Sequence, residues 1–246
     1  MPVTFHAPHS NPTSLQRCRG IPWLVVLLTS LVVAVYFPAQ YLTDTLAELA
    51  RRDTGLAGTY AERPAVIQAV FYLHIVSAGL ALLIGGFQFS QRLRRAAPRV
   101  HRWIGRVYVP SVLIGGATGL VMAFFSSVAF IGLFGFGTLA VLWMWTTSCG
   151  YRSIRAGKVA EHQAWMIRSY ALTYAAPTLR LWLILLLAVQ LPFGVDGAVA
   201  AANAYAPVPF LCWLPNLVVA EWIIRHKRLP SVIRTAADDR RAAHLV

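Results

Sequence analysis

The sequence predicts an all-α membrane protein, a polytopic bundle of six transmembrane helices with its N- and C-termini in the cytoplasm. Of its 246 residues, 57% are apolar and only 13% are charged, whereas an average soluble domain is about 25% charged. The mean hydropathy is +0.58, and several apolar runs approach the ~20 residues that cross a bilayer. These values exclude a soluble enzyme and a disordered chain.

The three cysteines are far apart and form no CxxC pair, which argues against a disulfide framework or a zinc site.

Six apolar segments set the predicted organisation of the chain. The predicted spans are residues 22–38, 66–90, 104–125, 128–149, 164–189 and 199–224. The first span is followed by bulky residues rather than a small-residue cleavage site, so we expect an uncleaved anchor. The predicted domains are a cytoplasmic tail over 1–21, a membrane domain over 22–225 that includes an outer loop at 39–65, and a basic cytoplasmic tail over 226–246.

The net charge of +13 comes from arginines that alternate with the predicted spans. All but four of the 22 basic residues lie on one side, in the two tails and in the loops after spans two and four; the exceptions are Arg51, Arg52, Arg63 and Arg180. A nucleic-acid binder gathers its basic residues on one soluble face, so we expect the lipid bilayer, and no nucleic acid, as the partner. The positive-inside rule places both termini in the cytoplasm, and we expect a bacterial inner membrane.

The outer loop carries a helix-start signal. Thr45-Leu46-Ala47-Glu48 matches a capping box, in which the Thr side chain and the Glu side chain each satisfy a free backbone N–H. We therefore predict a short helix through Ala50, ended by Gly55 and Gly58, that covers the mouth of the bundle.

Ionisable residues inside a span are costly and indicate function by default. His74 and Arg180 lie at similar predicted depths, roughly 12 and 14 Å below the outer surface at about 1.5 Å per residue. A nearby Arg180 would keep His74 neutral. The structural alternative for Arg180 is a bond to carbonyls freed by Pro177.

Span six carries two further polar groups. A lone carboxylate at Glu221 is expensive, so we predict an ion pair with Arg106 or Arg168 that clamps two helices. Pro215 predicts a kink, and Asn216 beside it is placed to satisfy the backbone groups that the kink frees.

Small and aromatic residues complete the pattern within the spans. Gly115 and Gly119 have the spacing that permits close helix contact; room for a flat cofactor is the alternative. Trp143 and Trp145 are most simply residues of the interfacial aromatic belt.

Two histidines begin helices on the cytoplasmic side. His101 and His162 are each followed by a tryptophan and then by an Arg-x-Tyr sequence, which indicates either a duplicated hairpin or two sets of interface anchors. Both histidines are candidate metal ligands, and His74 is a substitute. A helix N-terminus disfavours a charged imidazole, and the nearby arginines could pair the propionates of a haem; these are Arg102, Arg106 and Arg168.

Several long motifs carry a resemblance to a known family. The chain resembles the bacterial family of predicted membrane proteins called domain of unknown function 2306 over roughly residues 70–225. The matching motifs begin at Leu73-His74-Ile75, Gly85-Gly86-Phe87, His101-Arg102-Trp103, Trp165-Met166-Ile167, Thr178-Leu179-Arg180 and Cys212-Trp213-Leu214. A more distant similarity is to two-haem cytochromes b, which hold haem between membrane histidines; this chain has histidines for one such pair and not for two.

The sequence leaves three functions open. The first is a haem-bearing transmembrane redox protein, for which haem b is the candidate cofactor. The second is a small-solute or proton transporter, and the third is a non-catalytic accessory subunit. The kinked sixth span and Arg180 favour the second, whereas the histidines favour the first. Whether the protein is an enzyme, and which protein partners it has, stay open.

Overall fold

A computed structural model describes residues 21–231, and this part of the chain is helical without strands. It contains six helical segments long and apolar enough to cross a membrane, which confirms the predicted fold class: Trp23–Gln40, Ala65–Phe89, Pro98–Ala123, Ala129–Arg155, Ala175–Phe193 and Val208–His226. The cytoplasmic position of the termini stays a prediction. The arginines predicted for the N-terminal tail, and those of the C-terminal tail beyond Ser231, lie outside the described residues.

The α-helices are numbered here in chain order. They are α1 Ile21–Gln40, α2 Leu46–Arg51, α3 Ala57–Tyr60, α4 Ala65–Gly85, α5 Gln91–Ala96, α6 Pro98–Ala123, α7 Ala129–Arg155, α8 Val159–Thr173, α9 Ala175–Gln190, α10 Gly197–Tyr205, α11 Val208–Leu211 and α12 Leu214–His226. The turns around α5 and before α8 lie at one end of the bundle, called the basic end below because the arginine-rich loops are there. The other end is called the opposite end.

Successive long helices pack along one another, α4 on α6, α6 on α7 and α7 on α8, while α1 covers α4 and α12 covers α8. The predicted close contact at the glycines of α6 is confirmed. A Cβ at Gly115 would lie 3.2 Å from Ser77 Oγ, and one at Gly119 would lie 2.9 Å from the His74 ring. The missing side chains therefore let α4 approach α6.

The outer loop forms the predicted cap. Helix α2 begins at Leu46, and the Thr45 hydroxyl accepts a hydrogen bond from the Glu48 N–H at 3.3 Å. Contrary to prediction, Gly58 does not end a helix but lies inside α3. Apolar side chains of this loop pack on Phe71 of α4, in a cluster formed by Tyr41, Leu46, Leu49, Ala57, Tyr60 and Phe71. Burying these side chains holds the cap on the opposite end of the bundle.

The segments predicted as the fifth and sixth spans, residues 164–189 and 199–224, are broken rather than continuous. Helix α8 ends at Thr173 and α9 begins at Ala175, because Pro177 has no N–H to donate to the preceding turn. In the sixth span α11 ends at Leu211 and α12 begins at Leu214 with Pro215 in its first turn. The predicted kink at Pro215 is thus a full interruption.

Candidate functional site

His74 is held by backbone and side-chain contacts between α4 and α6. Its Nδ1 lies 2.8 Å from the Gly115 carbonyl oxygen and 3.4 Å from the Thr118 hydroxyl. A carbonyl oxygen only accepts, so Nδ1 carries the proton, and Nε2 of the neutral ring is an acceptor. The ring occupies the space that Gly119 leaves open.

Arg180 projects from α9. Its Nη1 donates to the Ala176 carbonyl at 2.7 Å, and its guanidinium carbon lies 3.7 Å from the centre of the Phe37 ring. The carbonyl that it binds is one turn back on its own helix, not the one that Pro177 frees. Its Nε is buried and has no hydrogen-bond partner among the described residues.

His74 and Arg180 line one cavity of about 520 Å³ in the half of the bundle away from the basic end. Because the cavity reaches from Trp143 to the cap, the similar depth predicted for the two residues stays a prediction. The walls come from α1, α4, α6, α7 and α9 together with the cap, and they are mostly apolar. Small-molecule sites occupy about 300–1,000 Å³ and combine apolar walls with a few placed polar groups, so this cavity has the size and composition of a ligand site.

A network of hydroxyl groups supports the cavity from the side of the basic end. Tyr108 Oη lies 2.9 Å from Ser169 Oγ and 2.8 Å from Thr173 Oγ1. The indole N–H of Trp143 donates to the same Thr173 oxygen at 2.8 Å.

Trp143 is only 6% exposed and lines the cavity, so its prediction as an interfacial belt residue is wrong. The Trp143 N–H is hydrogen-bonded to Thr173 of α8, so the indole does not need water at the membrane surface as a hydrogen-bond partner. Trp145, in contrast, is exposed.

The predicted ion pair of Glu221 is confirmed, with Arg168 as the partner. Arg168 Nε and Nη2 donate to the two carboxylate oxygens at 2.5 and 3.0 Å. The guanidinium also lies over Trp165, 4.7 Å from the ring centre. The pair joins α8 to α12. The other role predicted for Arg168, pairing a haem propionate, stays a prediction.

Asn216 fills the predicted role beside Pro215. Its Nδ2 lies within 3.1 Å of the Ala171 carbonyl, the Cys212 carbonyl and Thr178 Oγ1. It thus bridges the break in the sixth span to the break in the fifth.

His101 and His162 both lie at the basic end, near the starts of α6 and α8. His162 Nδ1 is 2.8 Å from the Gly150 carbonyl, which leaves its Nε2 as an acceptor. Burial, with a further contribution from Arg94, holds the pKa of His162 below its usual value. The two imidazoles are close enough to interact electrostatically, and His101 Nδ1 is buried without a partner. Arg106 lies over Trp103.

The described residues contain no group of three or more His, Cys, Asp or Glu side chains that could hold a metal ion.

Sequence reasoning missed several side chains that shape the cavity. Tyr205, Ser126 and Thr173 line it, but none of them belongs to a sequence motif that would indicate a site. Only the folding of distant segments brings them to one wall.

Comparison with protein families finds a match over more than half of the chain. The family described as "Predicted membrane protein (DUF2306)" matches residues 71–224, which include His74, His101, His162, Arg180 and Glu221. Neither the curated proteins nor the solved structures contain a match to the chain.

Proposed function

The chain belongs to the DUF2306 family of predicted membrane proteins, and from this premise we propose that it binds a small amphipathic molecule within the membrane. The observation that carries the proposal is the cavity of about 520 Å³ with His74 and Arg180 on its walls. A purely structural bundle gains from filling such a space, because protein interiors are close-packed. Binding of this kind suits a small-solute transporter or an accessory subunit of one.

The polar groups of the cavity support a bound molecule with a polar end and an apolar body. His74 offers an acceptor, Arg180 offers donors and a charge, and the remaining walls are mainly aliphatic and aromatic. The cap closes one end of this space through Tyr41, whose hydroxyl accepts a hydrogen bond from the Leu56 N–H at 2.9 Å.

The test is ligand-dependent stabilisation of the protein in phosphatidylcholine nanodiscs. Dodecanol and dodecanoate serve as amphipathic probes, and Ala78→Phe places a large ring in the cavity that Ala78 lines. The same substitution at exposed Ala201 is the matched control. A ligand at 100 times its Kd stabilises the folded state by about 2.7 kcal/mol. We expect at least one probe to raise the Tm of the wild-type and Ala201→Phe proteins but not of Ala78→Phe. Equal responses in all three, or none in any, would contradict the proposal.

A second candidate function, a haem-bearing redox protein, is favoured by the arrangement of His101 and His162. Two neutral histidines ligate haem iron when their nitrogens are about 4 Å apart, with each iron bond about 2 Å long. The free Nε2 of His162 and the unpartnered Nδ1 of His101 fit this donor set. Arg102 and Arg106 would pair the propionates, and bound haem would supply one-electron transfer. Neither histidine lines the cavity, which is why this function ranks second.

The visible spectrum of the purified protein tests the haem candidate directly. After expression with a haem precursor, the reduced protein should show a b-type spectrum that His101→Ala or His162→Ala abolishes and His74→Ala keeps. A colourless protein would eliminate this function and leave the cavity proposal intact.

A further inference from the structure

We infer that the molecule bound in the cavity is an organic anion, whose carboxylate-type head is held by Arg180 and whose apolar body fills the remaining space. This inference rests on the proposed function and adds the charge of the ligand to it. The reason is that the cavity holds the positive charge of Arg180, and the described residues that line the cavity provide no negatively charged side chain to neutralise it.

Arg180 is the cation that needs a partner. No Asp or Glu is among the described residues that line the cavity. Within residues 21–231 the guanidinium makes a single hydrogen bond, to the Ala176 carbonyl, and it packs on the Phe37 ring. A guanidinium has five N–H donors, and a charge removed from water is stabilised only when it is paired and hydrogen-bonded.

The other polar groups of the cavity do not supply the negative charge. Tyr41 and Tyr205 lie close enough to Arg180 to interact electrostatically, but a phenol hydroxyl supplies no negative charge at pH 7. Burial raises the pKa of Tyr60, on the same wall, to about 12. His74 is neutral or positive, never negative. The cavity therefore keeps its positive charge until a ligand neutralises it.

The geometry around Arg180 favours a carboxylate over a neutral head group. The Phe37 ring covers the face of the guanidinium, so an incoming group approaches its edge, where the N–H donors point. A carboxylate accepts two parallel hydrogen bonds from that edge. The Ser126 hydroxyl, also buried without a partner on the cavity wall, offers a further donor. A hydroxyl or ketone head group would leave the charge uncompensated.

The test compares three probes that share one chain length and differ in head-group charge: dodecanoate, dodecanol and dodecyltrimethylammonium. Their apparent Kd values are measured from Tm shifts in phosphatidylcholine nanodiscs, for the wild type and for Arg180→Met. We expect dodecanoate to bind the wild type at least about ten-fold more tightly than dodecanol, with no binding of the cation; ten-fold corresponds to one charge-assisted hydrogen bond. In Arg180→Met this preference should disappear while dodecanol binding persists.

A second measurement separates ligand binding from a structural role of Arg180. An unpaired, partly buried cation destabilises the empty protein, so Arg180→Met without ligand should have a Tm equal to or above that of the wild type. A structural role predicts a lower Tm instead. If Arg180→Met fails to fold, Arg180→Lys takes its place in the test. Because Arg180→Lys keeps the charge, it should still bind dodecanoate more tightly than dodecanol, and equal affinity for the two probes would overturn the inference.

The outcomes also distinguish this inference from the proposal on which it rests. Equal affinity for dodecanoate and dodecanol overturns the anionic ligand but keeps the binding cavity, whereas no binding of any probe overturns both. An anionic lipid head offers the same chemistry as a free organic anion. Nanodiscs with phosphatidylglycerol identify the source: if that lipid abolishes dodecanoate binding in the wild type, the lipid itself is the anion, and if binding is unchanged, the ligand is a free anion.

Discussion

The ion pair between Arg168 and Glu221 joins α8 to α12, and its removal should be measurable as lost stability. Arg168 is 5% exposed and Glu221 is 28% exposed in their side chains. Breaking a buried pair by removing one partner costs about 3–5 kcal/mol, because the other charge is left uncompensated. Since Glu221 is partly exposed, we expect Glu221→Gln to cost about 3 kcal/mol, the lower end of that range.

Unfolding of the purified protein in mixed detergent micelles at increasing SDS fraction measures this free energy. Glu161→Gln is the matched control, since Lys158–Glu161 is an exposed pair with side chains 60% and 39% exposed, and such pairs contribute at most about 1 kcal/mol. The double variant Arg168→Met with Glu221→Leu replaces both charges by apolar groups and should lie within about 1 kcal/mol of the wild type.

Two results would refute this reasoning about the clamp. One is a loss for Glu221→Gln no larger than that for Glu161→Gln, which would mean that water screens the pair. The other is a charge swap, Arg168→Glu with Glu221→Arg, that is expressed no better than either single variant. The swap loses the stacking of Arg168 on Trp165, so we expect partial and not complete recovery.

Three further predictions follow from the site and the topology. Trp143→Phe should lower the free energy of unfolding by about 1 kcal/mol, because it removes one hydrogen bond to Thr173 Oγ1, which keeps its contact with Tyr108 Oη; the same SDS titration measures it, with Trp145→Phe as the exposed control. Because the pKa of His162 is lowered on folding, its stabilising contribution is present above pH 6.5 and lost as the pH falls below that value; the Tm should therefore drop between pH 7.5 and 5.5 by less in His162→Gln than in the wild type, and an identical drop would contradict this. A C-terminal alkaline phosphatase fusion should be inactive, as the positive-inside rule requires; an active fusion would overturn the predicted topology.

Much of the fold follows from the sequence because it depends on hydropathy along the chain. A span needs about 20 apolar residues wherever it packs, so composition alone predicts the six spans. Local signals were equally reliable where their partners are near in sequence. Thr45 caps α2 through Glu48, three residues on, and Asn216 reaches the carbonyl four residues before it.

The boundaries of the broken helices could not be predicted in the same way. Pro177 and Pro215 weaken their helices locally, but whether a proline bends or interrupts a helix depends on which neighbours satisfy the freed backbone groups. Here Thr178 and Asn216 contact each other and the Cys212 carbonyl across two spans. That juxtaposition exists only once the helices are packed.

The sequence by itself determined the class of the protein, its six spans, the cap and the need of Glu221 for a cationic partner, because each depends on local hydropathy, local hydrogen bonding or the cost of burying a charge. Only the tertiary structure decided that the partner is Arg168, that Trp143 is a buried donor, and that His74 and Arg180 share a cavity. Those results depend on side chains more than 20 residues apart, such as Arg168 and Glu221, which differ by 53 positions. Which distant groups meet is set by helix packing, where the volume of a few glycines decides how closely two helices approach.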